Sequence, residues 1–397
     1  MAVFGFPEAR RLVIDTVRQS RATPPVVSVA LSDAAGRVLA EDVAADRHYP
    51  AVARSVRDGF AVRAADLPGT LFVVGEIRAG ERFEGSISPG QAVEIMTGAP
   101  VPNGADCVVM VEHCKVTGDH VTTDRTHESG DHIDAAGCMA RAGDIVLQRG
   151  RRLGFPDIAM LATAGKMQVP VFACPRVAIV ATGDELVEAH EQPAAYQIRN
   201  SNVHSLAAQV ARAGGLPEIL PIARDLVDVT RDLIRSGLER DLLLLSGGVS
   251  AGKYDVVETA LETLGAEFLI DRVLIQPGQP LVFGRCGERC FFGLPGNPAS
   301  TMVCFEIFAR AAVELLGGQE ETVLPLLEAV LDDGFHIKPG LTRFLPAHLA
   351  KDGQTISRIQ WQGSGDIPAL ARANCFLVTD PDRSEYQKGE RIRVLLQ

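Results

Sequence analysis

The chain has 397 residues, of which 46% are hydrophobic and 22% are charged, and its formal net charge is −11. This length suggests two to four domains with substantial apolar cores, and the acidic balance argues against non-specific binding to nucleic acid or to acidic membranes. No apolar run approaches the roughly eighteen residues of a transmembrane helix, and charged residues interrupt residues 1–15, so we expect a cytoplasmic protein.

The first predicted element is an amphipathic helix over residues 6–20, which Pro24 and Pro25 end. Residues 1–45 and 146–174 are assigned to a helical and linker domain. Between them, residues 46–145 alternate short β-prone runs with Gly, Pro and Asp turns. That pattern predicts a small all-β domain.

The second half of the chain changes character twice. Residues 175–320 alternate strand-like and helix-like segments and predict a doubly wound α/β domain, which ends with a helix over residues 300–316. Residues 321–397 return to β-prone runs and predict a C-terminal β-barrel. The predicted fold class is therefore a multidomain α/β plus β protein.

The cysteine and histidine patterns predict no metal centre. None of the eight cysteines belongs to a Cys-x-x-Cys pair, and the closest two, Cys286 and Cys290, flank a predicted hairpin turn. We expect free thiols, with metal binding at this pair as the weaker alternative. The nine histidines are scattered and form no His-Glu-x-x-His motif.

Three glycine-bearing loops follow apolar runs of the predicted α/β domain. Because the carboxyl ends of strands form the ligand crevice of an open α/β sheet, these loops predict one composite site. Glycines allow a ligand close to the backbone, and helix N-termini favour anions, so we expect a phosphate-bearing small molecule. Each loop is expected to precede a helix-like stretch. The loops cover residues 181–186, 246–252 and 294–300.

The polar residues of these loops have two interpretations each. Asp184 and Glu185 could hold Mg²⁺ or could favour the dipole of a following helix. Asp255 could serve the site or cap the next helix, and Ser300 could be an N-cap or an oxyanion donor. Asp58, before a glycine, could be a turn residue or a carboxylate presented to a cleft. Neither a Walker loop nor a convincing Rossmann motif occurs.

The order of short motifs along the chain is more specific than any one of them. They are Ser55-x-x-Asp58-Gly59-Phe60-Ala61-Val62, Thr97-Gly98-Ala99-Pro100 with Gly104-Ala105-Asp106, Thr182-Gly183-Asp184-Glu185-Leu186, Ser246-Gly247-Gly248-Val249-Ser250-x-Gly252, Leu294-Pro295-Gly296-Asn297-Pro298, and Gly363-Ser364-Gly365-Asp366 with Ala373-Asn374. Taken together over residues 7–396, they resemble the molybdopterin molybdenumtransferases, the MoeA family that includes the gephyrin E domain.

The resemblance implies a MogA/MoaB-like α/β domain and an elongated homodimer with the cleft between the α/β domain of one subunit and the β-domain of the other. It also implies Mg²⁺-dependent cleavage of adenylylated molybdopterin, coupled to insertion of molybdate. A molybdopterin adenylyltransferase or a recipient molybdoenzyme would be a partner, with no nucleic acid or membrane involved.

The resemblance also implies the residues of the site. The acidic catalytic positions are Asp58, Asp184, Glu185 and Asp255, of which Asp184, Glu185 and Asp255 would hold the metal. Ser300, Arg343 and Ser364 correspond to positions near the molybdate pocket. The implied cofactor-binding set is Thr97, Thr182, Gly183, Ser201, Asn202, Ser246, Gly247, Gly248, Ser250, Gly252, Pro277, Gly278, Pro295, Gly296, Asn297, Pro298, Ser300, Arg343 and Ser364.

The chain departs from the family pattern at several positions. Gln276 and Gln279 stand where the family usually has the lysines of Lys-Pro-Gly-Lys-Pro, and Arg57 and Arg199 are further departures. Because ion-supported hydrogen bonds are about twice as strong as neutral ones, loss of both lysines should weaken binding of a dianion. The leading hypothesis is a molybdate-inserting enzyme. Its alternative is a non-catalytic molybdopterin carrier or scaffold, and a gephyrin-like peptide scaffold is a third interpretation by analogy.

Overall fold

The structure is a computed structural model that describes residues 3–248 and 256–397. The chain divides into two compact units. One comprises Met1–Ala40, Gly150–Gly154 and Gln168–Gln397, and the other comprises Glu41–Arg149 and Phe155–Met167.

The smaller unit is built on a β-sheet, as the alternation of β-prone runs and turns predicts. The strands lie in the order Cys107–Met110, Gly59–Val62, Gln91–Ile95, Gly69–Ile77, His120–Thr123 and Lys115–Thr117. Short pairs add Arg54–Ser55 with Ile133–Asp134, and Val43–Ala44 with Ile145–Leu147. The helix Phe155–Thr163 also belongs to this unit.

The larger unit begins with the predicted amphipathic helix, Phe6–Ser20, whose bounds agree with the prediction. Its buried side chains Ala9, Val13 and Val17 pack in the same apolar cluster as Phe305 and Phe308 of a later helical segment. The strand Val26–Ala30 then pairs antiparallel with Gln168–Phe172.

The centre of this unit is a mixed sheet. Four of its strands are parallel and lie in the order Leu216–Ile219, Arg176–Ala181, Leu242–Ser246 and Arg289–Leu294. The strands Val282–Cys286 and Glu267–Ile270 extend the sheet in antiparallel fashion. Leu242–Leu245 are completely buried, as expected of parallel strands that are covered on both faces.

Helices accompany this sheet. They are Asn202–Arg212, Val227–Gly237, Val256–Thr263, Pro298–Cys304 and Arg310–Leu316. The prediction of one continuous helix over residues 300–316 is wrong in two respects. The helix begins earlier, at Pro298 after the N-cap Asn297, and a π-helical turn at Phe305–Ala309 interrupts it. Ser300 is therefore inside the helix and is not its N-cap.

The C-terminal part forms the predicted β-barrel. Strands Thr342–Leu349, Thr355–Arg358, Leu326–Leu331, Arg391–Leu396 and Cys375–Val378 pair in that order, and pairing of the last with the first closes the barrel. The strand Ile275–Gln276 of the preceding segment pairs with Thr342 and Arg343, and a short helix, Ile367–Arg372, lies between two barrel strands in sequence. The predicted fold class is confirmed.

Two simpler predictions can also be compared with the structure. All eight cysteines are free, which confirms the prediction of free thiols. Among residues 3–248 and 256–397, no helix has the length and apolar character that a membrane span requires.

Candidate functional site

The carboxyl ends of three parallel strands open onto a cavity of about 800 Å³. The strands are Arg176–Ala181, Leu242–Ser246 and Arg289–Leu294, and each continues into one of the three glycine-bearing loops. The structure therefore brings the three loops together, as the position of the strand ends predicts. The sequence-predicted residues that line the cavity are Thr182, Gly183, Glu185, Ser201, Asn202, Ser246, Gly247, Gly248, Pro295, Gly296, Asn297 and Pro298.

Close backbone packing joins the loops. Thr182 N donates to Ser246 O at 3.0 Å, and Gly247 N donates to Leu294 O at 3.0 Å. At Gly248, where φ is +64°, a Cβ would lie 2.6 Å from Thr182 Oγ1. Glycine is needed there because the neighbouring loop occupies the space that a side chain would take.

Asn202, at the start of helix Asn202–Arg212, ties this helix to two of the loops. Its Nδ2 donates to Ser246 Oγ at 2.9 Å, to Gly296 O at 2.8 Å and to Thr301 Oγ1 at 3.3 Å. The residue is only 9% exposed. Its buried amide thus holds together the segments that line the cavity at this point, which is called the floor of the cavity below.

Two buried oxygen atoms at this floor accept no hydrogen bond from residues 3–248 and 256–397. They are Thr182 Oγ1 and Asn202 Oδ1, and both residues line the cavity. Buried polar atoms are nearly always paired, so these two favour a ligand with hydrogen-bond donors.

Asp184 and Glu185 lie at the end of the first central strand but do not precede a helix. The next element is the short strand Leu186–Val187, and the following helix begins at Asn202. The expectation that all three loops precede helices is therefore wrong for this loop, and so is the helix-dipole interpretation of its two acids. Glu185 lines the cavity, whereas Asp184 Oδ1 accepts from Asp225 N at 3.2 Å.

A second cavity, of about 290 Å³, adjoins the first. Pro280, Pro295 and Asn297 line both of them. The other residues around the smaller cavity are Ile275, Gln276, Pro277, Gly278, Gln279, Ser300, Leu341, Trp361, Gly363 and Ser364.

Arg343 is the buried cation beside this smaller cavity. It is 8% exposed, and its Nε donates to Oε1 of the lining residue Gln276 at 2.8 Å. Its backbone N donates to Thr379 Oγ1 at 3.0 Å, and NH1 donates to Leu341 O at 3.4 Å. Burial lowers the pKa of Arg343, but a guanidinium stays charged near neutral pH.

No carboxylate of the described chain forms an ion pair with Arg343. A buried charge without a counter-charge is costly. A bound anion can supply the counter-charge that the described residues do not provide.

Asp58 and Thr97 belong to the smaller unit. Asp58 Oδ1 accepts from Thr97 N at 2.6 Å and from Thr97 Oγ1 at 2.8 Å. These bonds, first of all the one from the backbone N, lower the pKa of Asp58. The carboxylate thus links two segments that are far apart in sequence, which a purely local turn residue would not do. Ser250, Gly252 and Asp255 lie outside the described residues.

Several residues of the site were not foreseen. Trp361 lines the smaller cavity, Asp225 lines the larger one, and Arg272 contacts Gln279. Arg199, a departure from the family pattern, also lines the larger cavity. Trp361 is the chain's single tryptophan, and this feature of the sequence could have marked it as a candidate site residue. No motif singles out Arg272.

Three family models match successive regions of the chain. Residues 5–165 match the MoeA N-terminal region (domain I and II), residues 178–315 match a probable molybdopterin binding domain, and residues 328–397 match the MoeA C-terminal region (domain IV).

Individual relatives match nearly the whole chain. A molybdopterin molybdenumtransferase of Bacillus subtilis is 35% identical over 382 residues, which are 93% of this chain and 89% of the relative. One from Staphylococcus epidermidis is 31% identical and covers 93% and 91% of the two chains. The crystal structure of the molybdopterin biosynthesis moeA protein from Pyrococcus horikoshii OT3 superimposes with a TM-score of 0.82 at 27% identity and full coverage of both chains. With its three matched regions and these relatives, the chain belongs to the MoeA family of molybdopterin molybdenumtransferases.

Proposed function

We propose that this protein inserts molybdate into adenylylated molybdopterin and releases AMP, in a reaction that depends on Mg²⁺. The observation that carries the proposal is the pair of adjoining cavities at the carboxyl ends of the central strands. The larger has the volume of a site for a sizeable organic ligand, and the smaller adjoins Arg343, a buried cation that pairs with no carboxylate of the described part of the chain.

In this proposal the larger cavity holds the pterin nucleotide. The unpartnered oxygens of Thr182 and Asn202 accept hydrogen bonds from its amino or amide groups. Gly247 and Gly248 line this cavity, and in the proposal a phosphate group of the nucleotide lies against their backbone. The smaller cavity holds the molybdate oxyanion next to the pterin.

The residues for Mg²⁺ in the proposal are Asp184, Glu185 and Asp255. Carboxylate oxygens are the ligands that Mg²⁺ prefers, and Asp184 and Glu185 supply them at the end of a central strand. Within the described residues, no group of three or more His, Cys, Asp or Glu side chains could hold a metal ion, so phosphate oxygens and water would complete the coordination. The metal would offset the negative charge of the phosphoanhydride.

The test combines two products. Purified protein is incubated with adenylylated molybdopterin, Mg²⁺ and molybdate, and both AMP and metallated cofactor are followed with time. We expect both to form. Binding of the pterin nucleotide without either product would instead support the carrier alternative, which the transferase names of the relatives do not favour.

Glu185→Gln provides a sharper form of this test. The change keeps the shape of the side chain but removes a charge at the cavity wall. We expect kcat/KM for AMP release to fall roughly ten- to a hundredfold, the effect of losing about 1.5–3 kcal/mol of charge-supported interaction. Part of the loss should be recovered by raising the Mg²⁺ concentration. Glu328→Gln, on the exposed side of a barrel strand, is the matched control and should leave the rate unchanged.

Arg199 gives a separate prediction for the nucleotide. It lines the larger cavity, and its guanidinium donates to Glu191 O at 3.0 Å and to Gln192 Oε1 at 3.3 Å, both of them neutral acceptors. Its charge is therefore free to attract phosphate. Arg199→Gln should raise KM for adenylylated molybdopterin about tenfold at low salt with little change in kcat.

The salt dependence separates this effect from a loss of structure. The difference in KM between wild type and Arg199→Gln should shrink as ionic strength rises, because salt screens exposed charges. The control is Arg391→Gln, which removes an exposed charge that pairs with Glu328 in the barrel. An equal rise in KM for both variants would contradict a specific role for Arg199.

The remaining features follow from the family resemblance. We propose that the protein acts in the cytoplasm as a homodimer. It would receive its substrate from a molybdopterin adenylyltransferase and would deliver its product to a molybdoenzyme.

A further inference from the structure

The two glutamines that replace the usual lysines each contact an arginine. Gln276 Oε1 accepts from Arg343 Nε at 2.8 Å. Gln279 accepts from Arg272 Nε at 3.3 Å and from Arg272 NH2 at 3.1 Å, in the amide orientation that satisfies both side chains. Both glutamines line the smaller cavity.

A lysine could not make either contact. An ammonium group has three donors and no acceptor, whereas an amide oxygen accepts from a guanidinium. Lysine at position 276 would place a second cation beside the buried Arg343 and would leave Arg343 Nε without its present partner. Each glutamine therefore provides a hydrogen-bond acceptor for an arginine, which the lysine of the family pattern could not provide.

The hydrogen bonds of Arg343 show how Gln276 fixes the orientation of its guanidinium. Its Nε is occupied by Gln276 and one terminal nitrogen reaches Leu341 O at 3.4 Å. No hydrogen bond within the described residues occupies NH2. Because the guanidinium is planar and its donors are fixed in a fork, holding Nε fixes the direction of the terminal N–H groups.

We propose that Gln276 and Gln279 are positioning residues that hold Arg343 and Arg272 beside the smaller cavity, so that guanidinium groups supply its positive charge. Arg343 is buried whereas Arg272 is exposed, and the contact between Gln276 and Arg343 is the shorter of the two. The ligand class is a tetrahedral oxyanion whose oxygens accept from guanidinium and amide N–H groups. This inference rests on the proposed function, since it assigns the oxyanion to this cavity.

The inference and a simple count of charges predict opposite results for Gln276→Lys. If charge alone matters, the added lysine strengthens oxyanion binding. If Gln276 orients Arg343, the lysine weakens it. We expect KM for molybdate to rise tenfold or more, with kcat for AMP release at saturating molybdate changed less than twofold, as expected when a hydrogen bond to a charged group is lost. A calorimetric titration with sodium molybdate alone should show weakening of the same size.

Gln276→Met removes the acceptor without adding charge. It should also raise KM for molybdate about tenfold, and it should have little further effect in an Arg343→Lys background, because Gln276 acts through Arg343. Gln279→Met should have a smaller effect, since Arg272 is exposed. The control Gln168→Lys adds the same charge on an exposed strand position that contacts Ser28.

The outcomes are distinct. Tighter molybdate binding by Gln276→Lys, or independent effects of Gln276→Met and Arg343→Lys, would overturn the inference and leave the proposed function intact. A wild-type protein that releases AMP but neither binds nor inserts molybdate would overturn the assignment of the oxyanion cavity and the inference with it. A wild-type protein that binds no pterin nucleotide would overturn the proposed function. Thermal unfolding of each variant excludes loss of the fold as the cause.

Discussion

Asn202→Asp is expected to cause one of the largest losses of stability and ligand binding that a near-isosteric change in this protein can cause. The amide of Asn202 donates to Ser246, Gly296 and Thr301, and a carboxylate has no hydrogen to donate. Ser246 carries a hydroxyl that can reorient, but Thr301 Oγ1 already donates to Pro295 O, and the carbonyl oxygen of Gly296 can only accept. The substitution therefore places a buried negative charge against a carbonyl oxygen where a hydrogen bond of 2.8 Å exists now.

The expected cost is about 3 kcal/mol, since the change both breaks a buried hydrogen-bond network and buries a charge. The new carboxylate lies at the start of helix Asn202–Arg212. The helix dipole would stabilise its negative charge by less than about 1 kcal/mol and so would offset only part of this cost. For a domain of this size the melting temperature should fall by roughly 6–12 °C. Binding of adenylylated molybdopterin, measured by calorimetry, should be lost with it.

The pH dependence identifies the buried charge as the cause. Burial raises the pKa of a carboxyl group, and the protonated form can donate to Gly296 O. The stability difference between the variant and the wild type should therefore shrink as the pH falls through the raised pKa. Asn103→Asp, an exposed change of the same charge, is the control. A pH-independent difference would indicate a packing defect and not a buried carboxylate.

The local spacing of apolar residues predicts much of this fold because it indicates which side chains are buried. The run Leu242–Leu245 is apolar throughout and becomes a central strand. The spacing of apolar residues predicts the helix Phe6–Ser20, and Pro24 and Pro25 limit its C-terminal end. The loops meet because the ends of parallel strands lie at the same edge of a sheet. That step needs only the order of strands and helices along the chain.

The features that the sequence does not predict depend on tertiary contacts. The π-helical turn at Phe305–Ala309 has no proline or glycine to mark it, and Arg10 NH1 donates to the carbonyl of Ile307 within it. The loop at Asp184 looks like the start of a helix, but parallel pairing of Leu186–Val187 with Ile198–Arg199 takes precedence. Such contacts join residues that are separated in sequence, so the pattern of neighbouring residues does not predict them.

The same distinction applies to the candidate site. The glycines and the acids Asp58, Asp184 and Glu185 occur in short motifs, whereas Asn202 is predicted from the family resemblance. The partners of Gln276 and Gln279 are determined by the fold, because Arg343 lies on a barrel strand that pairs with the strand Ile275–Gln276. A sequence comparison alone indicates that two lysines are replaced, whereas the structure shows that the amides of Gln276 and Gln279 accept hydrogen bonds from guanidinium groups.

Gly278→Ala is expected to disable the smaller cavity by displacing the loop that lines it. Gly278 has a φ of +103°, and a Cβ there would lie 2.3 Å from Cys304 Sγ and 3.2 Å from Ile275 Cδ1. Cys304 is fully buried within the apolar core, so its sulfur is closely packed. Strained backbone and overpacking each cost about 1–3 kcal/mol, so the loop over residues 275–280 should shift and molybdate binding should fall at least tenfold.

Two further variants separate the causes. Gly287→Ala, at a hairpin turn with a φ of +60° and nothing within 4 Å of its Cβ, has the backbone strain without the steric clash. It should lower the melting temperature slightly and leave molybdate binding unchanged. In the double variant Gly278→Ala, Cys304→Ala the clashing sulfur is absent, so molybdate affinity should recover in part while the strain at position 278 remains. If the double variant binds molybdate no better than Gly278→Ala, contact with Cys304 is not what fixes this loop, and backbone strain alone accounts for the loss.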